Sequence, residues 1–244
     1  MQSAEVELKF PIDDLARLQS LLPALGFMLD TPRSFEQNTL YDTAGRTLRA
    51  SKQILRLRQY GSLWTVTHKR QPCPSASNDP AQYGAAGRYK VRIETETQID
   101  DGPALAEIFE QMGYAPVFRY EKFRTEWSQI TSTIDGPLFS ATPESTEALT
   151  TPPRSHLVID ETPIGDYAEL EGPPVWIDET LAKLGVDLAT CITESYGRLF
   201  LAWKQRTGSA AENLTFEEIF GVTRARNSSG SRHSSELANN PLTC

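Results

Sequence analysis

Pairs of like charge recur at alternate positions along this sequence. Glu5 and Glu7 stand two residues apart, as do Glu169 and Glu171, with Asp160 a little upstream. Carboxylates grouped in this way are hard oxygen donors. They suit Mg2+ or Mn2+, which take a few carboxylates together with water and phosphate oxygens. The basic residues follow the same rhythm: Arg56 and Arg58, Lys69 after Thr65 and Thr67, the series Arg88, Lys90 and Arg92, then Lys122 and Arg124. An Arg fork grips phosphate through two bonds, whereas Lys acts as a point charge.

Residues two apart on a strand point the same way, so each pair repels itself unless an opposite charge sits among its members. A ligand that is both polyanionic and metal-bound satisfies the acidic and the basic groups at once. Taken singly, each strand also reads as an ordinary solvent face, polar because it is wet. The clustering by sign across several strands argues for an inward-facing charged surface. Arg88 lies nearest a loop, and Glu94 and Glu96 serve better to orient neighbouring Arg residues than to hold metal.

The elements that must carry these residues are mostly strands. Val6, Leu8 and Phe10 alternate with Glu5, Glu7 and Lys9, the period of a strand with one apolar face. Further strands are predicted over 35–41, 55–58, 64–69, 88–96, 117–127, 157–160 and 167–171, with a hairpin at Gly61 and Ser62. Leucines from Leu15 to Leu25 form a helical stripe stopped at Gly26, and helices are also predicted over 103–112, 173–184 and 194–204. Segments 71–87 and 142–155, rich in Pro, Ser and Thr, read as loops; 216–220 reads as a short docking helix and 227–244 as disordered. The order is that of an α+β fold centred on an antiparallel sheet.

Composition narrows the function. The 244 residues are 39% hydrophobic and carry a net charge of −8, which argues against a nucleic-acid partner. No apolar run approaches the roughly 18 residues of a membrane helix, and Met1 to Phe10 has no signal-peptide pattern. Cys73, Cys191 and Cys244 are odd in number and far apart, which fits a reducing compartment and a cytoplasmic location. His68 falls on an apolar parity, and Tyr41, Tyr89, Tyr120 and Tyr167 are expected to pack as strand aromatics more readily than to stack on a ligand.

Taken in order, these pieces resemble the CYTH family, the triphosphate tunnel metalloenzymes, which includes class IV adenylyl cyclases, thiamine triphosphatases and inorganic triphosphatases. Glu5-Val6-Glu7-Leu8-Lys9 matches the family's ExExK signature. Tyr41-Asp42-Thr43, Arg56-x-Arg58, Lys69, Arg92-x-Glu94-x-Glu96, Lys122-x-Arg124, Asp160, Gly165, Glu169-x-Glu171-Gly172 and Ser195-Tyr196 follow in family order.

The resemblance runs over about residues 4–203. It implies an eight-stranded antiparallel β tunnel with helices outside, in a domain over 1–207 followed by a tail over 208–244. It also implies metal ligands at Glu5, Glu7, Asp160, Glu169 and Glu171, and triphosphate-binding cations at Lys9, Arg56, Arg58, Lys69, Lys90, Arg92, Lys122 and Arg124. Lys9, Glu5, Glu7 and Glu171 would form the catalytic centre, with Mg2+ or Mn2+ as cofactor. One metal would sit on Glu5, Glu7 and Glu171, and a second on Asp160 and Glu169.

The implied activity is hydrolysis of a small-molecule triphosphate with release of phosphate. Conversion of ATP to cyclic AMP and pyrophosphate is the alternative, and non-catalytic binding of polyphosphate or a nucleotide ranks below it. Homodimerisation is compatible with the sequence. Some phosphatase members carry a basic residue where this chain has Thr193-Glu194-Ser195-Tyr196, so thiamine triphosphatase activity does not transfer on the resemblance alone.

Overall fold

The computed structural model describes residues 2–72, 88–130 and 154–221. Strand β1 (Gln2–Pro11) follows the charged–apolar alternation and ends at Pro11, which has no N–H to continue a ladder. Asp14 then caps α1 (Leu15–Leu21), its carboxylate accepting from the Arg17 N–H at 2.9 Å. The leucine stripe predicted as one helix is divided. Pro23 interrupts the α-helical ladder, and Pro23–Leu25 winds on as a 3-10 turn closed by Gly26 at φ 83°.

The remaining elements are β2 (Met28–Thr43), the single turn α2 (Thr47–Ala50), β3 (Ile54–Tyr60), β4 (Leu63–Arg70), β5 (Lys90–Ile99), α3 (Gly102–Gln111) and β6 (Tyr114–Ile130). After them come β7 (Arg154–Thr162), β8 (Gly165–Glu171), α4 (Pro174–Leu184), α5 (Tyr196–Thr207) and α6 (Phe216–Phe220). The eight strands close into an antiparallel barrel in the order β1-β5-β4-β3-β2-β6-β7-β8. This is the α+β tunnel that the resemblance implied.

Strands β2 and β6 run well beyond the predicted 35–41 and 117–127. Their pairing survives three register shifts, one between Leu40 and Tyr41, where Tyr41 faces Pro116. Proline cannot donate to the ladder, so the strands bulge there. The predicted loop over 71–87 lies outside the described residues except for its first two residues. The loop over 142–155 is outside them except for its last two residues, and the segment 227–244 lies wholly outside them.

The apolar core sits between the barrel wall and its helices. Outward-facing Val6, Leu8 and Phe10 pack with Leu18, Leu22, Trp176, Ile177 and Leu181 from α1 and α4. A second cluster seats Phe109 of α3 on Tyr41 and Leu57, and a third joins Tyr120 to Tyr196, Phe200 and Leu214. Placing the apolar residues outside leaves the other face of every strand for polar groups. Residues 211–221 belong to this packing: Leu214 exchanges backbone bonds with Arg119 and Glu121, and Phe216 meets the rings of Phe35 and Phe123. Among the described residues no helix is long and apolar enough to cross a membrane.

Gly102 opens α3 directly against the barrel, where a Cβ would fall 2.2 Å from the Trp64 ring. Gly102→Ala is therefore expected to destabilise the fold by about 1–3 kcal/mol, the usual cost of overpacking. Urea denaturation reads this, and an unchanged midpoint would contradict the close seating of α3 on β4.

Candidate active site

The barrel encloses a cavity of about 570 Å³ lined by seven basic and seven acidic side chains. The basic residues are Lys9 from β1, Arg56 and Arg58 from β3, Lys69 from β4, Lys90 from β5, and Lys122 and Arg124 from β6. Alternation aims them inward: on β1, β3, β4 and β5 each lies on the strand parity opposite to the apolar residues packed beneath α1, α3 and α4, while Lys122 and Arg124 share theirs with the cavity-lining Phe118 and Tyr120.

At one end the charges are almost fully dehydrated. Lys9 and Lys122 each retain 2% exposure, while Glu36 and Asp160 retain none. Lys9 donates to Glu169, whose other oxygen accepts from Arg124 at 3.1 Å. Asp160 accepts from Lys122 at 2.8 Å, from Arg124 through both Nε and Nη2 at 2.7 Å, and from the Tyr196 hydroxyl at 2.7 Å. Glu36, opposite Lys122 in the β2–β6 register, lies 3.3 Å from its ammonium.

Burial alone would raise the Glu36 and Glu169 carboxyls, but the surrounding cations outweigh it and hold both well below the usual range. Burial likewise depresses Lys9, and Glu169 and Glu7 more than restore it, leaving it above an ordinary lysine. The Tyr196 ring, at the start of α5, lies 4.6 Å from the Lys9 ammonium and 5.1 Å from that of Lys122. Burial, followed by Asp160 and Glu169, pushes the Tyr196 phenol well up, so it serves as a hydrogen-bond donor.

One wall is built on β3, β4 and β5. Arg58 donates to Glu96 at 2.9 Å and to Thr65 at 3.0 Å. Arg56 reaches Glu96 at 3.3 Å and Thr67 at 3.1 Å, with Glu94 at 3.7 Å. Glu96 thus pairs with both arginines, while Glu94 lies nearest Lys69. Nearer the open side, Lys69 bonds Glu5 at 2.8 Å and Glu94 at 2.9 Å, and Lys90 bonds Glu7 at 2.5 Å.

Glu171 pairs with Glu7 in the β1–β8 register and has no ion-pair partner among the described residues. Burial, then Glu5, push its carboxyl up to about 8, with Glu169 and Glu7 adding to the effect and Arg124 opposing it.

One predicted cation, Arg92, and Arg88, which the sequence set apart, do not line the cavity. Arg92 lies opposite Glu5 in the ladder, but its guanidinium donates to the carbonyl of the adjacent Val91 at 2.9 Å. Arg88 turns outward to Asp178 of α4 at 2.8 Å. The tyrosines pack as the sequence suggested: Tyr41 on Phe109, Tyr89 bonded to Asp178, Tyr120 stacked on Phe118 and Tyr196, and Tyr167 edge-on to Tyr196.

Glu36 and His156 escaped the sequence reading as site residues, although His156 lines the cavity, as does Glu126 on the charged parity of Lys122 and Arg124. Glu36 shares its strand face with Asn38 and Leu40, a mixed set that did not mark it as part of a charged face. His156 gave no signal beyond its parity with Asp160, and Tyr196 was visible only as part of a motif.

As placed, no three acidic, His or Cys side chains among the described residues form a ready metal cluster. The donor chemistry nevertheless fits a divalent cation on Glu5, Glu7 and Glu171. Glu171 is uncompensated, and a cation is the charge that its neighbourhood lacks. Asp160 and Glu169 differ, because their oxygens are already taken up by Lys9, Lys122, Arg124 and Tyr196.

The raised Glu171 carboxyl has a consequence for stability. It favours folding below the pKa that a glutamate has in the unfolded chain, and this contribution is lost as pH rises through about 8. In EDTA, Glu171→Gln should therefore melt roughly 2–5 °C above the unsubstituted protein near pH 9, with no gain near pH 4. Equal melting temperatures at the higher pH would contradict the crowding of carboxylates around this residue.

Residues 3–145 match the CYTH domain family. A Methanocaldococcus jannaschii protein named as a candidate adenylate cyclase is 28% identical over 120 residues, 49% of this chain and 61% of that relative. The chain thus spans less than two thirds of the curated relative it matches. Two solved structures share the fold. A candidate adenylate cyclase from Vibrio parahaemolyticus has a TM-score of 0.58 at 16% identity, covering 81% of this chain and 97% of its own. A protein from Pyrococcus horikoshii has a TM-score of 0.56 at 18% identity, covering 82% and 99%. With more than half of its residues matched to that family and the charged barrel closed as the family requires, this chain belongs to the CYTH domain family.

Proposed function

We propose that this chain is a divalent-metal-dependent hydrolase that cleaves a small-molecule triphosphate and releases phosphate. One observation carries the reading: basic side chains from five separate strands converge in a single enclosed cavity that also holds the acidic group Glu5, Glu7 and Glu171. Cations gathered on this scale match a run of phosphates better than any single anion.

When bound, a divalent cation would polarise a phosphoryl oxygen and offset charge on the phosphates, with Glu5, Glu7 and Glu171 to hold it. Arg56 and Arg58, fixed by Glu96 and by the threonines of β4, present preorganised donors to charge that develops on the leaving phosphate. Lys9 and Lys122, held beneath the Tyr196 ring, supply fixed positive charge at the deep end. Exclusion of bulk water from that end strengthens each of these interactions. The reading places the enzyme in the cytoplasm with a small molecule as its partner.

Cyclisation of ATP is the second reading, favoured by the adenylate cyclase names of the relatives. A base would need an aromatic platform, and Tyr120 is already stacked on Phe118 and Tyr196, which supports hydrolysis.

The two readings part in one assay, with tripolyphosphate, thiamine triphosphate and ATP each offered with Mg2+ or Mn2+. Orthophosphate from tripolyphosphate is the expected outcome; cyclic AMP with pyrophosphate from ATP would replace it with the cyclase reading. Glu5→Gln should abolish turnover while the protein stays folded, and Arg56→Ala should lower kcat/KM by about 100-fold through both terms. Unchanged kinetics in either variant would remove that residue from the site.

A further inference from the structure

The charges of the tunnel balance one another before any ligand is counted. Its seven basic lining residues face seven acidic ones, and the fully buried Glu36 and Asp160 lie directly behind. Each lining cation has a carboxylate within ion-pair distance. A bare polyphosphate entering this space would meet at least as many repelling groups as attracting ones, in surroundings that screen poorly.

The pairs differ in how readily they can exchange. Lys122 with Asp160 and Lys9 with Glu169 lie at 0–7% side-chain exposure and are tied into the wider network around Arg124. The pairs Lys69–Glu5 and Lys90–Glu7 retain 7–17% exposure, and the two carboxylates are those whose oxygens suit a divalent cation.

We propose that Glu5 and Glu7 act as internal stand-ins for phosphate, occupying Lys69 and Lys90 so that the tunnel refuses a bare polyphosphate and accepts a metal–triphosphate complex. The exchange is a swap of partners: the carboxylates turn to the divalent cation, and the two lysines pass to phosphate oxygens. Selectivity for the chelate over the free anion is then a property of these two pairs. The inference rests on the triphosphate reading above and specifies the ligand form which that reading leaves open.

Removing the charge of Glu5 and Glu7 should therefore strengthen triphosphate binding when no metal is present. Calorimetric titration with tripolyphosphate in EDTA is expected to show the double variant E5Q/E7Q binding about tenfold or more tightly than the unsubstituted protein, since each lost like charge removes a poorly screened repulsion. In Mg2+ the order should invert. E5Q and E7Q singly should each show part of the gain, so the test stands if the double variant does not fold.

E126Q is the control, because Glu126 lines the same cavity without a cation in ion-pair distance among the described residues and bonds Thr31 instead. It should gain much less. Equal affinity of the unsubstituted protein and E5Q/E7Q in EDTA would overturn the stand-in role while leaving the triphosphate reading intact, and so would a gain in E126Q as large as in E7Q. Tripolyphosphate that binds none of these proteins, with or without Mg2+, would overturn both.

Discussion

An ion removed from water must meet a counter-ion or return to its neutral form, and the interior of this barrel is governed by that requirement. Lys9, Glu36, Lys122, Arg124 and Asp160 are all buried, yet all can keep their charge because each has an opposite partner. Those partners come from β1, β2, β6, β7 and β8, so the ion pairs also record how the strands are arranged around the axis. Loss of one partner in such a network leaves an uncompensated charge, commonly at a cost of about 3–5 kcal/mol.

This arrangement inverts the usual use of a small barrel. Most apolar side chains that would ordinarily fill the lumen face outward, where α1, α3 and α4 cover them, while α5 packs on Leu40, Phe118 and Tyr120 along the cavity itself. Stability and chemistry are thereby separated across a single wall: helices stabilise the outer face while the inner face carries charge. The inner face is itself graded. Its deep end is locked by Asp160 and Tyr196, whereas the pairs of Glu5 and Glu7 keep some contact with solvent. A scaffold fixed at one end and exchangeable at the other can hold cations in place and still admit a large anion.

Much of this was legible because a strand's period of two makes a charged face conspicuous. The alternation of β1, and the like-charge pairs on β3, β6 and β8, announced the inward set of residues. Glu36 was missed because Asp30 and Pro32 break the pattern near the start of β2, whose length comes from pairing with β6 rather than from local preference. Arg92 has the right parity yet folds its guanidinium back on the Val91 carbonyl, a rotamer choice that no spacing reveals. The locking of Asp160 depends on a hydroxyl from α5, an element distant in sequence, so the carboxylate itself looked free for metal. Parity identifies the face a side chain takes; its partners are decided by strands and helices that meet only after folding.

The claim beneath all of this is that the charged faces look into one enclosed space. Lysine acylation of the native protein, read residue by residue by mass spectrometry, tests it most directly. Lys9 and Lys122, each 2% exposed, should resist the reagent while the exposed Lys52 and Lys183 react fully, and denaturation should equalise all four. Native Lys9 and Lys122 reacting as fast as Lys52 would show that these side chains face bulk water, and the tunnel account would fail.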